Sequence, residues 1–248
     1  MRYRLGIIIP IYGSTRSVPE LLAQLKGAGL PAPFHIYLVD DSGEDAHFRW
    51  LAAHCAGAGI TLLRLAKNSG QQNALLCGMR AAICECEVIA TMDDDLQHPA
   101  ALLPQMCAKL QEGYSLVYAV AKREKRPLYR RIGSLCRDGL FALLFAVPKG
   151  VHVSSYRVMT NALAVQSAQH DYRFYYMTAS ALCTHTAIAN IAYPENARAY
   201  GKSGYSLAKL FRLYFGIIAT YTKAGRLLLR PKKGTGYALQ ESIEEAAC

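Results

Sequence analysis

Three consecutive carboxylates, Asp93, Asp94 and Asp95, end a short apolar run in "EVIATMDDDLQHP". Two like charges about 4 Å apart repel by roughly 4 kcal/mol at an effective dielectric near 20. A chain that sets three of them at the tip of a buried strand therefore has a use for a cation there. Asp93, Asp95 and Gln97 offer hard oxygen donors of the kind that Mg2+ or Mn2+ takes, and such ions bridge carboxylates to nucleotide phosphates. On an extended segment these three side chains face one way and Asp94 the other. The same residues also fit a solvated turn or a helix N-cap, because His98-Pro99 opens the next helix. A second acidic pair, Asp40-Asp41, ends "FHIYLVDDSG".

The elements that must hold these acids alternate along the chain. "LGIIIPIY" reads as a strand, and "SVPELLAQLKGAG" as a helix with Ser17 as its cap and Pro19 in its first turn. A strand ending in Asp40-Asp41 and a helix near 45–56 follow. Then come "ITLLRLA" (strand), "SGQQNALLCGMRAAIC" (helix), "EVIATM" (strand), "PAALLPQMCAKLQEG" (helix) and "SLVYAVAK" (strand). This β-α repetition, with strands rich in Val, Ile and Leu, predicts an α/β fold with a mostly parallel central sheet covered on both faces. In such sheets ligands bind beyond the carboxyl ends of the strands. Both acidic clusters fall there.

Past residue 122 the character changes. "KREKRPLYRRIGSLCRDG" is densely basic, "LFALLFAV" reads as a helix, and "VHVSSYRVM" and "AIANIAY" read as strands. A polar loop, "PENARAYGKSGYS", leads to a long helix with Leu207, Leu210, Phe211, Tyr214, Ile217, Ile218 and Tyr221 along one face. With no internal repeat and no long linker, we expect one domain over 1–225, its nucleotide-binding half at 1–122 and its acceptor half at 123–225. A flexible tail is expected over 226–248.

Composition bounds the function. The chain has 248 residues, 52% hydrophobic and 19% charged, with a formal net charge of +10, which suits an anionic partner or serves solubility. None of the eight cysteines forms a CxxC pair, so we read a reducing, cytoplasmic setting without a disulfide framework. The opening "MRYRLGIIIPIYGS" contains Pro10 and no small-residue cleavage site, and so reads as a first strand rather than a signal peptide. "LFRLYFGIIATY" is interrupted by Arg212 and is shorter than the ~20 residues a membrane span requires. No transmembrane segment is expected.

"IIIPIYGS", "LVDDSGED", "NSGQQNALLCGM", "MDDDLQHP", "VSSYR" and "RAYGKSGYSLAKL" occur in the order and spacing of family-2 glycosyltransferases. Over roughly residues 5–222 the chain resembles members with the GT-A fold, and more narrowly the branch that loads sugars onto polyprenyl phosphates. The resemblance implies a nucleotide-diphosphosugar donor carrying UDP or GDP, and inverting transfer assisted by Mg2+ or Mn2+. Pro10, Tyr12, Asp40 and Asp41 would line the base and ribose pocket. Asp93 would contact ribose or diphosphate, with Asp94 beside it, and Asp95 and Gln97 would ligate the metal. Asn68 and Gly70 match a position where backbone packs close to the nucleotide. Arg123, Arg131 and Ser134 fall where this branch grips phosphate, as do Arg157, Arg198 and Lys202. Several cations are what two diphosphate charges and an acceptor phosphate require, and guanidinium forks suit phosphates best. Where relatives carry Asn-Glu after "PxY", this chain has Gly13-Ser14.

A phosphomonoester acceptor arrives ionised and needs no general base. A hydroxyl of a glycan or lipid does, and Asp171 is the carboxylate near the place where hydroxyl-using relatives carry one. The basic stretch also fits a solvated face or a nucleic-acid module, against which Asp95 with Gln97 argues, so no nucleic-acid partner is expected. The apolar face around Phe211 to Tyr221, with Lys209, Arg212, Lys223 and Arg226, either packs on the sheet or makes peripheral contact with the cytoplasmic membrane face.

Overall fold

The computed structural model describes residues 3–13, 15–122, 139, 141–145, 147–148, 150–184, 186–194 and 207–244, with the side chains of 207–210 left aside. Eight strands form one sheet: β1 (Tyr3–Ile11), β2 (Phe34–Asp40), β3 (Ile60–Leu65), β4 (Cys86–Thr91), β5 (Leu116–Lys122), β6 (Arg157–Thr160), β7 (Ile188–Pro194) and β8 (Leu239–Glu244). Their order is β7-β5-β6-β4-β1-β2-β3-β8. β4, β1, β2 and β3 run parallel, as do β5 and β7, whereas β6 is antiparallel to both its neighbours and β8 to β3.

Alternation on β1 divides the core. Leu5, Ile7, Ile9 and Ile11 enter one buried cluster with residues of α1 (Val18–Lys26), α2 (Asp45–Cys55) and α4 (Leu103–Gln111). Ile8 enters the other, with residues of α3 (Gln71–Ala82), α5 (Asn161–Ala168) and α6 (Met177–Leu182). Burial on both faces explains why β1 to β4 read as continuous apolar runs. α3 comes so close to the sheet that a Cβ on Gly78 would lie 2.5 Å from Ile8 Cγ2 and 3.0 Å from Val39 Cγ2. A third, smaller cluster joins Phe141 and Phe145 to Leu182 and to Ile217 of α7 (Leu207–Tyr221).

Three local expectations differ. Ser17 occupies the cap position of α1 but its side chain makes no capping bond. "VHVSSYRVM" enters the sheet only at Arg157. Before that, Tyr156 N donates to Ser154 Oγ (3.2 Å) and Ser155 Oγ is drawn elsewhere, local bonds that compete with a ladder. The expected loose tail contains α8 (Lys223–Leu229) and β8 instead. β8 is mostly exposed, and its ties are tertiary: Arg64 faces Glu241 across the ladder, Ile243 packs on the core, and Ala66 N donates to Ala238 O at 2.9 Å.

Among the buried polar groups, His35 is 1% exposed, with Nε2 2.8 Å from Thr61 Oγ1 and its ring between Tyr3 and Tyr37. Burial holds its pKa below the ordinary imidazole value. The unfolded chain therefore takes up this proton first as pH falls through about 6.5, and stability present above that pH is lost below it. Between pH 7 and pH 5 the native protein should lose stability relative to a His35 variant that cannot titrate, read as the difference of their denaturation midpoints. His35→Gln, uncharged throughout, is that variant.

Candidate functional site

The parallel register brings the carboxyl ends of three strands to one edge. Ile11 of β1 pairs with Asp40 of β2, and Ile8 of β1 with Thr91 of β4. Tyr12, 65% exposed, follows β1, and Asp93 to Asp95 follow β4.

Asp93 is the junction of this edge. Gln71 Nε2, at the start of α3, donates to Asp93 Oδ1 at 2.6 Å, and Ser155 Oγ donates to Oδ2 at 2.9 Å. The Asp93 amide donates to His98 Nδ1 at 3.0 Å, which assigns the ring proton to Nε2. His98 is stacked on Tyr156 (4.7 Å), whose hydroxyl donates to Pro99 O at 2.7 Å. Gln71, Ser155 and His98 were not singled out in the sequence. For His98 the adjacency to the acids was the available signal, while Gln71 and Ser155 are distant in the chain. Partners that orient a working carboxylate typically matter 10- to 100-fold. Ser155→Ala should lower kcat/KM by about tenfold with little change in thermal stability, read by steady-state assay and melting curve.

The three acids do not alternate as an extended segment would. β4 ends at Thr91 and the chain turns. Gln97 N donates back to Asp95 Oδ1 (3.2 Å) and Leu96 sits at φ 63°, an Asx turn with a left-handed residue inside it. Asp94 is pushed up to about 7 by burial and by repulsion from Asp93 and Asp95, against an opposing bond from the Tyr12 amide. Among the described residues no group of three or more His, Cys, Asp or Glu side chains is placed to hold a metal ion. Asp93, Asp95 and Gln97 carry hard oxygens of the type that Mg2+ or Mn2+ takes, with both Asp93 oxygens accepting from Gln71 and Ser155 and Asp95 Oδ1 from the Gln97 amide.

The other acidic pair divides its labour. Asp41 is buried and holds a loop: Oδ1 accepts from Ser69 N (2.6 Å) and Oδ2 from Gly70 N (2.8 Å). Burial raises its pKa while the two amides oppose the shift. Gly70 caps α3 at φ 88°, and Asn68 on the same loop is exposed. Gly43 (φ 73°) seals this corner, since a Cβ there would lie 2.9 Å from Lys67 Cα. Asp40 is fully buried. Its Oδ1 accepts from Ser42 N (3.0 Å) and stands 2.9 Å from His47 Nδ1, a close contact not aligned as a hydrogen bond. Asp40 Oδ2, sealed from solvent, has no hydrogen-bond partner among the described residues. That acceptor, next to Pro10 in β1 and Tyr12 beyond it, suits a ligand N–H or O–H.

Beside the acids lies a cleft of about 360 Å³ between the start of α3 and the 173–176 loop, closed on one side by Leu213 of α7. Gln71 lines it and so joins it to Asp93. Arg173, exposed and on its wall, is a cation that sequence reading did not select. Asp171, two residues earlier, is exposed and is not part of that wall; its backbone carbonyl accepts from Gly234 N at 2.8 Å. Arg157 is turned inward. It is 2% exposed, donates to Thr178 Oγ1 (3.0 Å) and lies over the Tyr118 ring. To meet a phosphate it would have to leave these partners. Arg123, Arg131, Ser134, Arg198 and Lys202 lie outside the described residues.

The family model of glycosyl transferase family 2 matches residues 6–155, the span that carries the whole of this strand-end edge. The chain belongs to glycosyl transferase family 2. This family 2 glycosyltransferase is 29% identical over 234 residues to an undecaprenyl-phosphate 4-deoxy-4-formamido-L-arabinose transferase of Pseudomonas paraeruginosa, covering 90% of this chain and 67% of the relative. It is 30% identical, with the same coverage, to the enzyme of that name from Pseudomonas fluorescens. Mannosyl-3-phosphoglycerate synthase from Rubrobacter xylanophilus shares its fold with a TM-score of 0.64 at 16% identity, over 98% of this chain and 87% of that one. Glucosyl-3-phosphoglycerate synthase from Mycobacterium tuberculosis, solved with Mn2+, UDP and phosphoglyceric acid, superposes with a TM-score of 0.62 at 17% identity, over 88% and 77% of the two chains. At such identities these structures establish the GT-A fold. Among the described residues no helix of the glycosyltransferase is long and apolar enough to cross a membrane.

Proposed function

We propose that the protein transfers a sugar from a nucleotide-diphosphosugar to a polyprenyl phosphate at the cytoplasmic membrane face, with a divalent cation and inversion at the anomeric carbon. The observation that carries the acceptor is similarity to undecaprenyl-phosphate transferases over 90% of the chain. The hard oxygens of Asp93, Asp95 and Gln97 support the cation, and Asp40 Oδ2, buried without a hydrogen-bond partner among the described residues, supports a nucleoside donor.

In this reading the Asp40 carboxylate takes a base or ribose donor beside Pro10 and Tyr12. Asp41 keeps the Asn68–Gly70 loop close to the nucleotide. Asp93, Asp95 and Gln97 hold Mg2+ or Mn2+, which supplies charge to stabilise the departing diphosphate. Gln71 and Ser155 hold Asp93 in place. Arg173 faces the acceptor phosphate from the cleft wall, with Arg123, Arg131, Ser134, Arg198 and Lys202 as further phosphate contacts. A phosphomonoester with its second pKa near 6 is already ionised at neutral pH, so the attacking oxygen needs no base. That agrees with an Asp171 standing off the cleft. Attack from the face opposite the leaving diphosphate inverts the anomeric carbon.

The test is a donor screen with purified protein and Mn2+, scoring nucleotide release with and without a short polyprenyl phosphate. Acceptor-dependent release from one UDP- or GDP-sugar is expected. Release that requires a glycan hydroxyl instead would overturn the acceptor assignment.

A further inference from the structure

Past α8 the chain turns back along the wall of the cleft. Arg230 ends that helix in the left-handed region (φ 43°) and Pro231 follows, so the helix stops there. Residues 232–238 then cross the loop that carries Arg173. Arg173 N donates to Lys232 O at 2.9 Å, Gly234 N donates to Asp171 O at 2.8 Å, and Tyr172 and Lys233 form an antiparallel bridge between them. Gly236 lies between this loop and α3. A Cβ there would fall 2.5 Å from Arg173 O and would also collide with the Asn73 side chain. Tyr237 continues onto α3, where its hydroxyl accepts from Arg80 Nη1 at 3.4 Å and the guanidinium lies 5.8 Å from its ring. Arg80 Nη2 in turn donates to Ala168 O and His170 O, both at 3.3 Å. Ala238 O takes the Ala66 amide and leads the chain into β8.

The loop over 169–176 joins α5 to α6 without a strand or helix of its own. Its last residues are held from inside, since Tyr176 N donates to the Tyr221 hydroxyl (2.9 Å) and Met177 N to Gln72 Oε1 (2.9 Å). Its middle, with Arg173, is held by the returning segment. The backbone of Arg173 is bonded to Lys232 on one side and faces Gly236 on the other, while its side chain lines the cleft. The 69–70 loop across the cleft is pinned separately by Asp41. The two walls therefore have independent anchors, and the segment 232–238 serves one of them.

We propose that residues 232–238 are a positioning strap for the acceptor side of the reaction, with Gly236 at its closest approach. The strap sets how far Arg173 stands from the start of α3, and so where an acceptor phosphate lies relative to Gln71 and Asp93. It acts through Arg173 and touches no reacting atom. The proposal deepens the phosphate-acceptor reading and rests on it. A displacement of about 1 Å in a group that orients a substrate costs up to about 10²-fold, so a Cβ forced into this contact has a measurable effect on the acceptor.

The experiment compares Gly236→Ala, Arg173→Ala and the double variant in steady-state transfer to a short polyprenyl phosphate, together with amide hydrogen exchange. Gly236→Ala should raise KM for the acceptor about tenfold and leave KM for the nucleotide-sugar, with its Mn2+-assisted uptake in calorimetry, within about twofold. Arg173→Ala should raise the acceptor KM as well, and the double variant should be no worse than Arg173→Ala alone, because the strap acts through that residue. The Arg173 and Gly234 amides should exchange slowly in the native protein and faster in Gly236→Ala. The proposal is overturned if donor and acceptor KM rise together, if the two substitutions add in full, or if the native amides exchange as fast as an unbonded loop. Should Gly236→Ala fail to fold, Tyr237→Phe, which loses a single hydroxyl, decides the matter. It should raise the acceptor KM about threefold, and an unchanged KM with unchanged exchange overturns the proposal. Native transfer to a glycan hydroxyl in place of the prenyl phosphate would sink the phosphate-acceptor reading, and the same comparison made with that glycan then judges the strap.

Discussion

Asp95→Ala is expected to lower kcat/KM for sugar transfer about 10³-fold, equivalent to ~4 kcal/mol of transition-state stabilisation, with the fold intact. The size follows from the role proposed for this carboxylate, which would help hold a cation whose charge would stabilise the departing diphosphate. The intact fold follows from its surroundings. Asp95 is half-buried, and its Oδ1 accepts the Gln97 amide at 3.2 Å within a surface turn. Asp93→Ala should cost at least as much activity and also some stability, because it removes the acceptor of Gln71 and Ser155. Calorimetry separates the effects: Asp95→Ala should lose Mn2+-assisted uptake of the nucleotide-sugar while its melting temperature stays put. Activity within tenfold of the native enzyme would refute the assignment.

The second large effect belongs to stability. Asp41→Ala strips two backbone amides, Ser69 N and Gly70 N, of a buried carboxylate acceptor. Hydrogen bonds to charged groups contribute roughly 1.5–3 kcal/mol each. Both donors lie near the surface and regain some water, so the expected loss is about 3 kcal/mol. For a chain of this size that is a fall of roughly 6–12 °C in Tm. Asp41→Asn keeps one acceptor oxygen and should lose about half as much. Activity should fall further than stability alone explains, since the loosened loop carries Gly70 into α3 and Gln71 onto Asp93. A melting curve unchanged in Asp41→Ala would show that the loop is held by other means.

Asp40 and Asp41 illustrate the limit of reading neighbours alike. Both were expected to line a base and ribose pocket. One carboxylate is consumed by its own fold, and the other keeps an oxygen without a protein partner. Nothing in "LVDDSG" distinguishes them, because the distinction is made by the 69–70 loop, 28 and 29 residues away. Arg157 and Arg173 are a similar pair. The matching motif picked out Arg157, which the sheet buries over Tyr118, while Arg173 gained its position on the cleft wall from the packing of the 173–176 loop against α3 and α7.

Local patterns alone determined the alternation of strands and helices, the family, and the placement of both acidic clusters at strand tips. Periodicity, turn chemistry and the order of short motifs are written in neighbouring residues. Tertiary structure alone decided which of the two neighbouring carboxylates is spent on the 69–70 loop, that Gln71 and Ser155 meet on Asp93, that residues 239–244 add an antiparallel edge strand, and that Phe211 and Leu228 stay outside. Each of these depends on contacts between segments far apart in the chain, whose bonds and burial come into being only when the sheet closes around its core.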